Sequence, residues 1–135
     1  MDAEAAARKW VDGWSEGWAA ADPDRIAALY AEDAVFVSQP FREPHRGRAG
    51  VREYARWAFA DEETLDFAFG EPRAGRDGAA VEYWALLRSE GSERTLAGVA
   101  LIRFGEDGLV AEQRDYWSIE DGRRERPAGW AASSR

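Results

Sequence analysis

The stretch ERTLAGVALIRFGEDGLVAEQRDYWS, Glu93 to Ser118, decides how the rest of the chain must be arranged. Gly105-Glu106-Asp107-Gly108 carries the Asp-Gly pair that tight hairpin loops use for positive φ, and its flanks are rich in Val, Leu, Ile, Phe, Tyr and Trp. The stretch therefore reads as two long antiparallel strands. Alternation puts Leu96, Gly98, Ala100, Ile102 and Phe104 on one face of the first strand and Ala97, Val99, Leu101 and Arg103 on the other. Both faces are largely apolar, so both need a covering layer. On the second strand Gln113, Asp115 and Trp117 share one face, and Glu112, Arg114 and Tyr116 share the other. If the first set points inward, Asp115 is a carboxylate among large apolar groups.

The chain's 135 residues are one domain by length, and a domain of this size buries roughly two-thirds of its unfolded surface. The absence of cysteine excludes disulfides, thiolate zinc sites and a cysteine nucleophile, and a single histidine excludes a multi-histidine metal site. No metal and no other cofactor is expected. The apolar run that includes Ala97 to Ile102 is too short for a signal core or a membrane span, which points to a cytoplasmic protein. A net charge of −8 and a pI near 4.7 disfavour nucleic acid and anionic membrane as partners. Seven tryptophans suit a packed core or the walls of a pocket for a flat apolar ligand.

Outward from the hairpin, Ala3 to Ala21 has a helical stripe of Ala7, Trp10, Val11, Trp14 and Trp18. Gly13 and Gly17 weaken that helix by roughly 1 kcal/mol each relative to Ala, so they call for a packing reason. Asp22-Pro23-Asp24 starts a second helix, Arg25 to Ala31, with Ile26, Leu29 and Tyr30 on its buried side. A short strand, Ala34 to Ser38, ends at Pro40, and the polar loop Arg42 to Arg48 leads to a third helix from about Ala49 to Ala60. From Thr64 onward only strands are expected, one carrying Leu65, Phe67 and Phe69, the next running from Ala80 to Ser89. The result is a single α+β domain over 1–119 with helices on one face of the sheet, followed by a polar tail, 120–135, with an anchor at Trp130.

That order, with YAEDAVF at 30 to 36, the segment Gly47 to Glu53, and the closing VALIRF, DGLV and RDYW, resembles the nuclear transport factor 2-like superfamily. Within it the chain resembles SnoaL-like and ketosteroid-isomerase-like proteins over residues 5 to 118. The resemblance implies a cone of curved mixed or antiparallel sheet closed by three N-terminal helices around an apolar pocket, commonly in a homodimer. The isomerases' catalytic base falls on Ser38, their oxyanion tyrosine on Trp14 and their oxyanion aspartic acid on Ala100, none of which can do those jobs. The epoxide hydrolases' last-strand aspartate matches Asp115, but their Arg-x-Asp partner motif is replaced by Glu82-Tyr83-Trp84-Ala85.

By analogy of register, Tyr83, Ala85 and Leu87 face the pocket together with Ala100, Ile102, Gln113, Asp115 and Trp117. Trp14, Trp18, Phe36, Ser38, Tyr54 and Trp57 join them from the helices and the first strand. Asp115 is the acid or base expected to carry catalysis, with Tyr83, Tyr54 and Gln113 as its hydrogen-bonding assistants. The competing reading has Asp115 held ionised by Arg114, Arg103 or backbone N–H groups. His45 reads as a solvated loop residue or one at the pocket mouth, and Arg46 with Arg48 as a solvated pair or an anion contact. Two functions compete: a cofactor-free proton-transfer enzyme of isomerase, cyclase or dehydratase type acting on a hydrophobic small molecule, and a non-catalytic binding or accessory protein of the same fold. A homodimer through the outer sheet face is expected, because Trp84, Leu86, Val99, Leu101 and Tyr116 would otherwise lie exposed.

Overall fold

The computed structural model describes residues 1–131. Helix α1 (Ala3–Ala19) opens on Asp2, whose carboxylate accepts the Ala5 N–H, and α2 (Pro23–Ala27) opens on Asp22, which accepts the N–H groups of Asp24 and Arg25. Both caps satisfy donors that a helix start leaves free. The packing reason for the two helix glycines lies in α2 and the residues after it. A Cβ on Gly13 would come within 2.7 Å of both Leu29 Cδ atoms, and one on Gly17 within 2.7 Å of Ile26 Cγ1.

The second helix is shorter than the sequence predicts, ending at Ala27, because the Leu29 carbonyl accepts the Val110 N–H at 2.9 Å and draws the chain into the sheet. Tyr30 therefore begins strand β1 (Tyr30–Val37) rather than lying on a helix. The loop that follows contains a short strand, β2 (His45–Arg46), paired with Val35 and Phe36. Helix α3 (Gly47–Asp61) packs on β1 and α2.

The remaining strands are β3 (Glu63–Phe69), β4 (Arg73–Ala74), β5 (Gly78–Ser89), β6 (Ser92–Phe104) and β7 (Val110–Asp121). Their order in the curved, open sheet is β2-β1-β7-β6-β5-β3, with β4 beside β5. The β3, β5, β6 and β7 pairings are antiparallel, as expected from the sequence, whereas β1 runs parallel to β7 and makes the sheet mixed. Register places Asp115 opposite Ala100, Gln113 opposite Ile102 and Trp117 opposite Gly98. A Cβ on Gly98 would meet Trp117 Cβ at 2.5 Å, so glycine is what lets Trp117 sit across from it.

The helices lie over one face of this sheet, and the core between the layers contains Trp10, Ile26, Phe36, Val51, Val81 and Ile102. On the other face the polar tail folds back. Strand β7 extends to Asp121, past the expected domain end at 119. Thr95 Oγ1 then donates to the Gly122 carbonyl and accepts the Arg124 N–H, and Trp84 Nε1 donates to the Arg124 carbonyl. Trp130 meets Trp84 edge to face, with ring centroids 6.0 Å apart. The expected anchor at Trp130 is thus present, and Leu86 is buried. Leu101 and Tyr116 remain about half exposed on the same face, at 46% and 45%. No helix is long and apolar enough to cross a membrane among the described residues.

Candidate active site

Between α1, α3 and the inner face of β3, β5, β6 and β7 lies a cavity of about 330 Å³, at the lower end of the range for small-molecule sites. Trp10, Trp14 and Trp18 form one wall from α1, spaced so that all three fall on the same helical stripe. Trp14 and Trp18 stack at 5.6 Å, and Phe59 meets Trp18 edge-on at 4.7 Å. Tyr54 and Trp57 come from α3, Phe67 and Phe69 from β3, Tyr83, Ala85 and Leu87 from β5, and Gln113, Asp115 and Trp117 from β7.

Asp115 is 9% exposed, with its carboxyl in the cavity wall. Gln113 Nε2 donates to Oδ1 at 2.9 Å and the Tyr83 hydroxyl donates to Oδ2 at 3.1 Å. No ion pair involves Asp115 among the described residues; Arg114 lies on the opposite face of β7 and pairs with Glu112. The reading in which an arginine neutralises this acid is therefore ruled out by geometry. The network continues inward: Gln113 Oε1 accepts from Trp10 Nε1 at 3.0 Å and from the Tyr30 hydroxyl at 2.5 Å, while that hydroxyl accepts from Trp14 Nε1 at 3.1 Å. Among the described residues, every buried side-chain nitrogen and oxygen has a partner.

Burial pushes the Asp115 carboxyl up to about 7, against the pull of the Gln113 and Tyr83 hydrogen bonds, which favour its ionised form. Burial, then the nearby Asp115 charge, pushes the phenols of Tyr83, Tyr54 and Tyr30 well up. Near neutral pH the site therefore combines an acid poised to gain or lose a proton with phenols that stay neutral donors.

The predicted site residues divide by depth. Trp14, Trp18, Tyr54, Trp57, Tyr83, Ala85, Leu87, Gln113, Asp115 and Trp117 line the cavity. Phe36, Ser38, Ala100 and Ile102 do not: Phe36, Ala100 and Ile102 are buried in the core, and Ser38 is buried behind Arg42. Trp10, Thr64, Phe67, Phe69, Leu96 and Ile119 line the wall without having been singled out. Alternation was the available signal for four of them, since Phe67 and Phe69 pair with Ala85 and Tyr83, and Leu96 pairs with both Ala85 and Ile119. Thr64 accepts Trp18 Nε1 at 2.6 Å, a contact that only folding creates.

At the mouth, Arg42 lines the cavity and its Nη1 donates to Ser38 Oγ at 3.0 Å. Ser38 Oγ lies 3.2 Å from His45 Nε2, and His45 is half-buried between Phe36 and Tyr54. Burial, then the Arg42 charge, holds the His45 imidazole below its usual value. His45 is thus packed behind Arg42 and Ser38 rather than solvated, and does not itself line the cavity. Arg48 is taken up by the Tyr30 carbonyl at 3.0 Å, so Arg46 and Arg48 form no joint anion contact in the cavity. Among the described residues, no three His, Asp or Glu side chains gather as metal ligands.

A curved mixed sheet, helices across its concave face and a buried carboxyl in an apolar cavity place the protein in the nuclear transport factor 2-like superfamily. Residues 9–113 match the family model of the SnoaL-like domain, and the chain belongs to that family. Epoxide hydrolase LasB of Streptomyces lasalocidi is 32% identical over 108 residues, covering 76% of this chain and 38% of LasB. The chain thus spans well under half the length of that relative. SalBIII, an epoxide hydrolase/cyclase-like enzyme with a role in pyran ring formation in polyether salinomycin, superposes with a TM-score of 0.73 at 18% identity, covering 85% of this chain and 95% of SalBIII. RV0760c of Mycobacterium tuberculosis does so with a TM-score of 0.76 at 18% identity, covering 90% and 99%. At such identities the two structures share the fold.

Proposed function

We propose that the cavity is a catalytic pocket in which Asp115 moves a proton to or from a hydrophobic small molecule. The observation that carries this reading is the placement of the Asp115 carboxyl in the cavity wall, held by Tyr83 and Gln113 and, among the described residues, by no cation. Each carboxyl oxygen accepts one hydrogen bond and keeps a lone pair free. A neutral Asp115 donates from that position to a substrate oxygen, and an ionised Asp115 takes a proton from carbon or a hydroxyl. Cyclase, isomerase and dehydratase chemistry all use this step.

The name of the LasB relative favours ring opening of an epoxide within this class. Asp115 would protonate the epoxide oxygen as its C–O bond breaks, and a hydroxyl on the same substrate would attack the carbon and form the new ring. That hydroxyl's proton would return the balance to the carboxylate. Hydrolysis by water is less well supported, because the Arg-x-Asp pair of the epoxide hydrolases has no counterpart around Tyr83.

Turnover of a panel of apolar hydroxy-epoxides and β,γ-unsaturated ketones, measured for the native chain and for Asp115→Asn, tests the proposal. Turnover that is lost in the variant supports it. Turnover that survives in the variant removes Asp115 from the chemistry. Tight binding without turnover of any compound favours the binding-protein reading, which the replacement of the isomerase residues by Trp14, Ser38 and Ala100 supports.

A further inference from the structure

Arg42 stands out among the cations around the cavity. Arg94, which also lines the wall, pairs with Glu62 at 3.1 Å. The Arg42 guanidinium has neutral partners instead: Ser38 Oγ at 3.0 Å and the face of Trp57, whose centroid lies 5.7 Å away. No ion pair involves Arg42 among the described residues. The Ser38 hydroxyl accepts from Arg42, which only donates, and lies within hydrogen-bond distance of His45 Nε2. This relay orients the guanidinium without cancelling its charge. In a chain of net charge −8 with twenty-six acids, leaving a pocket-lining arginine without one is a specific arrangement.

Tyr54 lines the same cavity as Asp115 and Arg42 and feels the charges of both. We infer that Arg42 recognises a carboxylate on the substrate, which makes the substrate class an apolar carboxylic acid. Its acid group sits against Arg42 and Trp57 at the mouth, and its apolar body runs past Tyr54 and Trp14 toward Asp115. This rests on the reading of the cavity as a substrate pocket. One guanidinium balances one carboxylate charge. A doubly charged phosphate would leave charge uncompensated near Asp61 and Glu62, which also line the wall.

The test compares naphthylacetic acid, naphthylacetamide and naphthyl phosphate by tryptophan emission and thermal shift. At about pH 6 Asp115 is mostly neutral and the ligand acid is ionised. The native chain is expected to bind the acid about tenfold more tightly than the amide, a charged hydrogen bond's worth of preference. Arg42→Gln keeps a donor for Ser38, and is expected to abolish the preference, chiefly by weakening binding of the acid. Equal binding of acid and amide by the native chain, or a preference that survives in Arg42→Gln, overturns the inference and leaves the pocket reading standing. Tighter binding of the phosphate overturns the choice of carboxylate. No quenching and no thermal shift with any of the three overturns the pocket reading and this inference with it.

Discussion

The indole nitrogen of Trp10 lies 3.0 Å from Gln113 Oε1, and this contact determines what Asp115 faces on the neighbouring position of the strand. An indole N–H only donates, so the Gln113 oxygen must point at Trp10 and its NH₂ at Asp115. Trp14 sets the Tyr30 hydroxyl in the same way, since that oxygen accepts from Trp14 and spends its hydrogen on Gln113. Two tryptophans on one helical stripe thus fix the direction of the hydrogen bonds that reach the carboxyl through Gln113. The amide stabilises the carboxylate form while burial opposes it, and the balance leaves the group titrating near neutrality.

Gln113→Leu is accordingly expected to cost about 2–4 kcal/mol, because it leaves the Trp10 N–H and Tyr30 O–H without their acceptor in the core. Chemical denaturation measures this. Asp115, deprived of a donor, is expected to titrate higher still, visible as an upward shift of its carboxyl resonance midpoint by NMR. A variant as stable as the native chain would contradict the network.

Because folding raises the Asp115 pKa from 3.8 to about 7, the folded state holds a proton that the unfolded chain has released between those values. Its contribution to stability is fully present below about pH 4 and is lost as pH rises through about 7, a change on the order of 4 kcal/mol. Asp115→Asn removes that dependence. The stability of the variant relative to the native chain is therefore expected to improve steadily from about pH 4 to about pH 7, and a difference independent of pH would count against a raised pKa.

If Asp115 is the proton carrier, Asp115→Asn lowers turnover by roughly a hundredfold to ten-thousandfold while the fold persists. The pH profile distinguishes its role: activity falling above about 7 marks a general acid, and activity falling below it marks a general base. Tyr83→Phe removes a donor that favours the carboxylate, so the profile's midpoint is expected to move up. An unmoved midpoint would separate Tyr83 from the titrating group.

Filling the cavity with a flat apolar compound should quench the emission of Trp14, Trp18 and Trp117 and raise the melting temperature by mass action. At a hundredfold excess over Kd the stabilisation is about 3 kcal/mol. Trp18→Phe should weaken the quenching, and should also free Thr64 from its indole partner.

The outer sheet face gives the last expectation. The tail covers Trp84, yet Leu101 and Tyr116 remain exposed on neighbouring strands, directly accessible to a second copy. A homodimer through this patch is expected in light scattering at micromolar concentration, and Leu101→Asp with Tyr116→Asp is expected to shift it to monomer. A native chain that is already monomeric would remove the dimer.

Residue order alone was enough for the hairpin, the capped starts of the first two helices and the inward set Gln113, Asp115 and Trp117, because these depend on turn chemistry, capping and a period of two that are local. It was also enough to name Asp115, the single acid in that set. Depth was not legible. Ala100 and Ile102 share a face with Leu96, yet the first two are sealed under the helices and Leu96 meets the cavity, since helix placement over the sheet decides what period two leaves equal. Tyr30 was read as helical, and only the parallel pairing of β1 with β7 brings it to Gln113, 83 residues away in sequence. The meeting of Arg42, Ser38 and His45 at the mouth depends on the β1–β2 pairing in the same way. Contacts between distant segments are made by the sheet's register and the helices' packing, which no short stretch of sequence encodes.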